Sequence, residues 1–413
     1  VPLTPAELVP KPVPEGENAA ELYLTAMGEL EAEPVWDTDL ATLADHASQG
    51  DLANLGDVAK GIHIPQKGGQ EALLGDVLDE FARQLDGPVG KKVCGLIEQA
   101  SNRPNCRFDL DYSRGPDIQL PHLAKLRGLA RFLAAASFVR EEQRETDAAW
   151  ICVRQQLQLA DHLRGEPLLI SQLVRVAIYD CAETGLRRLA TSGPVPAKLA
   201  PAIDRLLGRM DDPQPWVGAM HGERLLLGEW VFNLPPQELA KTLAMLSAPK
   251  RTPLPAPEQI AVQRAAYRQA MLRVAELMAQ PYCQARVPLH QALAELSEPG
   301  KRNLIQPLIP ALEVCARKLG ELQAMVRVTR LGLRLIAYRT AHGGYPPDLA
   351  ALALGDIPPD RRIDPFTGRS LVYRRQGKGF ILYSLGPDAK DNAGRARHGR
   401  QESGYDIVWS SAQ

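Results

Sequence analysis

The run Gly343-Gly344-Tyr345-Pro346-Pro347 constrains this chain most. Two glycines end a helix and two prolines cannot continue one, so any helix before the run must stop there. Ahead of it, Leu- and Ala-rich segments with near-helical spacing follow one another through most of the sequence. Behind it come short β-type runs at Ser370 to Arg374, Phe380 to Tyr383 and Tyr405 to Trp409. The expected fold is mainly α: a helix-hairpin domain of stacked α-α pairs, then a small α+β domain with a short antiparallel sheet. The expected divisions are a Pro-rich extended spacer over 1–17, a helical domain over 18–320 and the α+β domain over 321–413.

At 413 residues the chain is long for one ordinary core, and with 5% aromatics it has the composition of packed helices. The net charge of −1 excludes a whole-chain electrostatic role on nucleic acid. The basic cluster Arg361, Arg362, Arg369, Arg374, Arg375 and Lys378 reads as a solvated face, because nearby acids nearly balance it. No run approaches the roughly 18 apolar residues a membrane helix needs. The chain begins at Val1 and continues through Pro2, Pro5, Pro10, Pro12 and Pro14, an extended spacer of the kind found outside a membrane. An extracytoplasmic protein is expected, touching the membrane only through a removed N-terminal segment.

Helical spacing predicts helices over 18–31 (core positions Leu22, Leu24 and Met27), 40–47 after an Asp37 or Thr38 cap, 70–85 and 89–99. The pattern breaks at 107–119. It returns from Leu120, where Leu123, Leu126, Leu129, Leu133 and Phe138 share one face. Further helices are expected over 145–163, 167–192, 196–210, 217–232, 236–247, 257–279, 286–297 and 303–342. No repeat of fixed period emerges.

The cysteines number six: Cys94, Cys106, Cys152, Cys181, Cys283 and Cys315. None forms C-x-x-C, which argues against a zinc ribbon or thioredoxin-type site. The first pair flanks the turn at 101–104, and the other two pairs lie equidistant from turn signals at 164–167 and 298–301. Equal distance from a helix-hairpin turn places two residues at one height, so neighbour pairing is expected: Cys94–Cys106, Cys152–Cys181 and Cys283–Cys315. Each would stabilise by roughly 3 kcal/mol. The alternative is six small buried residues.

Catalytic motifs are sparse. The 107–117 loop carries Asp109, Asp111, Tyr112 and Asp117, and paired carboxylates could serve glycoside hydrolysis; the plainer reading is helix capping. His221 and Glu223 stand two apart, off one helix face, and could gather with Glu229 at a cleft. No H-E-x-x-H is present. A salt bridge between helices through Glu223 or Arg224 is the alternative. Ser171 lies without a G-x-S-x-G elbow and is expected to bond back to a carbonyl one turn earlier. The Gly pairs at 68–69 and 343–344 make no phosphate loop, since no G-K-S/T follows.

The tail reads Tyr383-Ser384-Leu385-Gly386-Pro387-Asp388-Ala389-Lys390-Asp391-Asn392-Ala393-Gly394, then Gly404-Tyr405-Asp406-Ile407-Val408-Trp409. Upstream stand Leu335-Ile336-Ala337-Tyr338-Arg339-Thr340-Ala341-His342 and Asp364-Pro365-Phe366-Thr367-Gly368. In order and content these pieces, over about the last ninety residues, resemble the type II secretion major pseudopilins, whose corresponding loop binds calcium. The resemblance implies a pseudopilin-like α+β domain, with Asp388 and Asp406 matching the loop carboxylates and Leu385 offering a backbone carbonyl. Asp391 and Asn392 are further oxygens without a family counterpart. The family's transmembrane half-helix is absent from this sequence, and Arg395, Arg397, His398 and Arg400 oppose a cation unless they point away. The loop is no EF-hand: with Asp388 first, Lys390 stands third and Gly399 twelfth. The helical part is similar to uncharacterised exported bacterial proteins in four stretches: 105–111, 120–123, 166–174 and 222–224.

Together these readings predict an extracytoplasmic interaction or scaffold protein of the cell envelope. It would meet a protein partner, possess a candidate calcium loop and stand alongside secretion or pilus-like machinery. The alternative is a secreted glycosidase-like hydrolase using Asp109, Asp111 or Glu223.

Overall fold

Why the helices pack where they do is set by their apolar faces. In the computed structural model, which describes residues 2, 4–32, 63–65, 71–239, 241, 256–296, 309–397 and 404–411, the Pro-rich start makes two 3-10 turns (Pro5–Glu7 and Glu15–Glu17) before α1 (Ala20–Glu31). Its buried face is Ala20, Tyr23, Ala26, Met27 and Leu30, while Leu24 is exposed. The sequence placed Leu24 in the core; the 3.6-residue period centred on Tyr23 turns it outward. The predicted helix at 40–47 and the Gly68-Gly69 pair lie outside the described residues.

Strands β1 (His63–Pro65) and β2 (Glu71–Leu73) pair antiparallel. Strand β2 takes the first residues of the helix predicted over 70–85, so α2 (Leu74–Leu85) starts later, with Leu78 and Phe81 buried as expected. Next comes α3 (Pro88–Ser101), opening on a proline at its first turn, where the missing N–H costs nothing.

The centre of the molecule is α4 (Pro121–Glu142), α5 (Thr146–His162) and α6 (Leu169–Ser192), which pack on one another. The five apolar residues that announced α4 are all buried. Trp150 and Phe132 are almost fully enclosed, each large apolar side chain contributing about 2–3 kcal/mol. Gly185 lets α6 approach α5: a Cβ there would stand 2.7 Å from a Val153 methyl. Then follow α7 (Ala200–Met210), α8 (Gln214–Gly222), a π-helical turn (Glu223–Gly228) and α9 (Glu229–Phe232). The helix predicted over 236–247 extends past the described residues.

Helix α10 (Pro257–Met278) precedes α11 (Tyr282–Leu296), which begins ahead of the predicted 286 because the Pro281 carbonyl accepts its first amides. The long α12 (Ile309–His342) stops where the sequence required. Gly343 takes φ 77° and its N–H donates to the Arg339 carbonyl at 2.8 Å, a left-handed cap. The boundary expected at 320/321 falls inside this unbroken helix.

Beyond α12 the chain forms a three-stranded antiparallel sheet in the order β3 (Val372–Gln376), β4 (Gly379–Ser384), β5 (Ile407–Ser410). The central strand β4 is buried along its length, while Arg374 and Arg375 mark β3 as the solvated edge. The sheet rests on α12. Trp409 lies over Gly332, where a Cβ would come within 2.1 Å of the indole, and Arg187 of α6 covers the same ring at 5.3 Å. One continuous apolar cluster runs from Ala19 to Trp409, so sheet and helices share a core.

No disulfide joins the six cysteines in the structure; Cys315 is buried and the others are half-buried. Burial pushes the Cys152 thiol up to about 12, with Cys94 on the neighbouring α3 adding to the rise.

Candidate functional site

Three polar regions stand out. The first is a buried junction at the start of α6. Phe108 stacks on His122, ring centroids 4.3 Å apart, and His122 Nε2 lies 2.9 Å from Glu166 Oε1. Ser171 donates its hydroxyl to Glu166 Oε2 at 2.5 Å. This corrects the expected back-bond to a helix carbonyl: Ser171 is the third residue of α6, within reach of the connecting segment. Leu169 N–H donates to Glu223 Oε1 at 3.3 Å, and Gly222 packs so tightly on Pro167 that a Cβ would meet its carbonyl oxygen at 1.6 Å. Thus the four stretches singled out in the sequence meet in one place, and two carboxylates stand at the positive end of α6.

The chemistry of this junction is structural in form. The carboxylate stands between serine and histidine, whereas a nucleophilic triad needs the histidine in the middle. Ser171, His122 and Glu166 are all buried. Burial pushes the Glu223 carboxyl up to about 7, against the opposing Leu169 amide. The π turn beginning at Glu223 has its own support: Tyr267 donates its hydroxyl to the Glu223 carbonyl at 3.1 Å, over Gly228. Such turns concentrate where a helix is shaped for function.

The predicted carboxylate groupings are placed apart. Asp109 is exposed beside Arg107, and Asp111 caps the next turn by accepting from Ser113 N–H at 3.1 Å. Glu229 pairs with Arg264 at 2.6 Å and with Arg268, while Arg224 donates to the Pro2 carbonyl at 2.6 Å. Neither Glu223 nor Arg224 makes the expected helix-to-helix salt bridge among the described residues.

The second region is the C-terminal loop. Asp406 Oδ2 accepts from Gly394 N–H at 2.7 Å and Oδ1 from Asn392 N–H at 3.3 Å. Asp391 Oδ1 accepts from Ala393 N–H at 2.8 Å and from the Tyr383 hydroxyl at 3.0 Å. Asp388 Oδ1 accepts from Lys390 N–H at 3.1 Å. Leu385 is held by its N–H, which donates to Asp364 Oδ2 at 3.0 Å. Asp364, buried and also bonded to Ser384 Oγ at 2.8 Å, is the organising carboxylate that sequence reasoning missed. Its only signal was the Asp-Pro turn at 364–365. Around Gly404, Asp388 Oδ2 and Asn392 Oδ1 converge, lying 3.5 and 3.7 Å from where a Cβ would stand. The Arg395 guanidinium comes within 3.6 Å of the same point and donates to the Gly404 carbonyl, so a cation already faces those oxygens. Among the described residues no three His, Cys, Asp or Glu side chains gather as a metal site. Arg397 covers the Tyr405 ring at 5.1 Å, and His398 and Arg400 lie outside the described residues.

The third region is a cleft of about 1150 Å³ between α6, α11, α12 and this loop, adjoined by one of about 490 Å³. Tyr282 and Tyr405 line it among charged side chains of both signs. Lys318 holds Glu321 at 2.6 Å. Asp180 opens onto the cleft, and desolvation by the packing around it raises its carboxyl to about 7, Glu183 adding and Lys318 opposing.

The basic cluster read as one face is divided. Arg361 turns inward to Asp211, Arg362 caps the Leu354 carbonyl at 2.6 Å, and Arg374 reaches the Tyr383 hydroxyl.

Comparison with protein-family models, curated proteins and solved structures finds no match to this chain.

Proposed function

We propose that this chain is an extracytoplasmic interaction protein of the cell envelope, working alongside secretion or pilus-like machinery. In this reading stacked helix pairs carry a pseudopilin-like α+β unit, and the cleft between them receives a protein partner. The observation that supports it is the cleft wall. Asp180, Glu313, Glu321 and Asp388 line it together with Arg286, Arg317, Lys318 and Arg397, a charge-balanced lining suited to a polar protein segment. The envelope address rests on the tail's resemblance.

The test is a photo-reactive residue at Arg317 in living cells, with Arg273 on α10 as the control outside the cleft. The expected result is an adduct to an envelope protein from position 317, in an extracytoplasmic fraction, lost when Lys318→Glu and Arg286→Glu reverse the wall. Equal yields from both positions, or a protein found only in the cytoplasm, would overturn the proposal.

Calcium is the proposed occupant of the C-terminal loop, with Asp388 and Asp406 as carboxylates beside Asp391 and Leu385. Because Arg395 faces the same oxygens, binding requires its displacement. Calorimetric titration with calcium should give a saturable heat in the wild type, none in Asp388→Ala, and several-fold tighter binding in Arg395→Gln. Identical heats in all three chains would remove the ion.

A further inference from the structure

A separate cavity of about 480 Å³ lies on the other side of α12, between it and α7. Its walls are apolar: Val195, Ile203 and Leu207 face Leu333 and Ala337 across it. Ile203 and Leu207 are otherwise buried residues, so the cavity continues the core outward.

Its polar floor is a chain of ion pairs. Arg330 grips Asp204 with two nitrogens, Nε at 3.1 Å and Nη2 at 2.8 Å. Arg334 stands 3.4 Å from the same carboxylate and also meets Asp356. These four side chains neutralise one another. Arg205 also lines the cavity, and it makes no hydrogen bond or ion pair among the described residues. The lining therefore carries one uncompensated positive charge beside an apolar wall. Small-molecule sites have this form: roughly 300–1,000 Å³, mostly apolar, with few polar groups that fix orientation. The fixed Asp204–Arg330 pair keeps a second anion out, because Arg330 has its carboxylate already.

We propose that this cavity binds a small amphipathic monoanion, its hydrocarbon part between α7 and α12 and its single acidic group on Arg205. A guanidinium presents paired donors that suit a carboxylate or a phosphate oxygen pair. Neither the cleft nor the C-terminal loop takes part.

Octanoate is the probe, titrated calorimetrically into the full chain, with octanol and acetate as its uncharged and chainless counterparts. The wild type should bind octanoate saturably at one site, at least tenfold more tightly than either counterpart. Arg205→Gln should bring octanoate down to the level of octanol, and Ala337→Phe, which fills the wall, should weaken both. Arg205 is exposed, so its loss leaves packing intact. Rising salt should weaken octanoate but not octanol in the wild type, a second reading that needs no variant. Absence of saturable octanoate binding, or equal affinity in wild type and Arg205→Gln, would overturn the site.

Discussion

Replacing Asp211 by asparagine should destabilise this protein by about 3–5 kcal/mol, the usual result of removing one partner from a buried ion pair. Asp211 is 1% exposed and follows α7 directly. Arg327, 3% exposed in the middle of α12, places its Nε 3.1 and 3.2 Å from the two carboxylate oxygens. Arg361, from the segment before the sheet, stands 3.3 Å from Oδ1. Arg327 also donates to the Ile363 carbonyl at 2.9 Å, and Gln323 to the Asp211 carbonyl at 3.1 Å. One carboxylate thus joins α7, α12 and the chain leading to the sheet. Burial raises its pKa, and the two guanidinium groups hold it part of the way back. Asparagine keeps the backbone contacts but leaves Arg327 charged without its carboxylate in a site nearly closed to water. Urea titration followed by circular dichroism measures the loss; a shift below about 1 kcal/mol would mean that the pair is not desolvated. The double variant Asp211→Leu with Arg327→Met should recover most of the stability, because a matched apolar pair leaves no buried charge.

That pair shows why part of this fold was not readable in sequence. Asp211 and Arg327 are separated by 116 residues, and nothing local marks either as buried. The helices were legible where apolar residues repeat strongly, as in α4. They were misjudged where small residues make the buried face: in α1, Ala20 and Ala26 flank Tyr23, and the eye is drawn to Leu24 instead. The strand at 71–73 was invisible because its pairing with 63–65 overrides a pattern compatible with helix. The end of α12 was secure because Gly343 needs positive φ and the prolines that follow it cannot continue a helix.

The candidate sites divide in the same way. The sequence drew attention to 105–111, 120–123, 166–174 and 222–224 separately, and the structure joins them at the start of α6. Their composition gave no hint that Glu166 stands between Ser171 and His122, since that order is set by how α4 approaches the 163–168 turn. The loop carboxylates were picked out through the tail's resemblance, but their present partners are backbone amides and, for Asp391, the Tyr383 hydroxyl. Asx-type bonds of this kind compete with any cation for the same lone pairs. The cleft had no sequence signal, because its wall draws on α6, α11, α12 and the tail at once.

Glu223 gives the clearest pH effect. Its carboxyl is raised from 4.5 to about 7 because the start of the π turn is enclosed by α6 and α10, with only the Leu169 amide favouring the charge. The folded state therefore holds this proton more firmly than the unfolded chain does. Stability from this group is complete below about pH 4.5, falls as pH rises toward 7, and is flat above. The shift corresponds to about 3 kcal/mol. Glu223→Gln cannot ionise and keeps an oxygen for Leu169, so it should match the wild type near pH 4.5 and exceed it by that amount at pH 8. Asp180 titrates in the same range, but it is present in both chains and cancels in the difference. Urea midpoints of the two proteins at several pH values measure the effect. A difference that does not grow with pH would show that Glu223 is ionised in the fold at no cost, and that its enclosure by α6 and α10 is looser than the contacts described here.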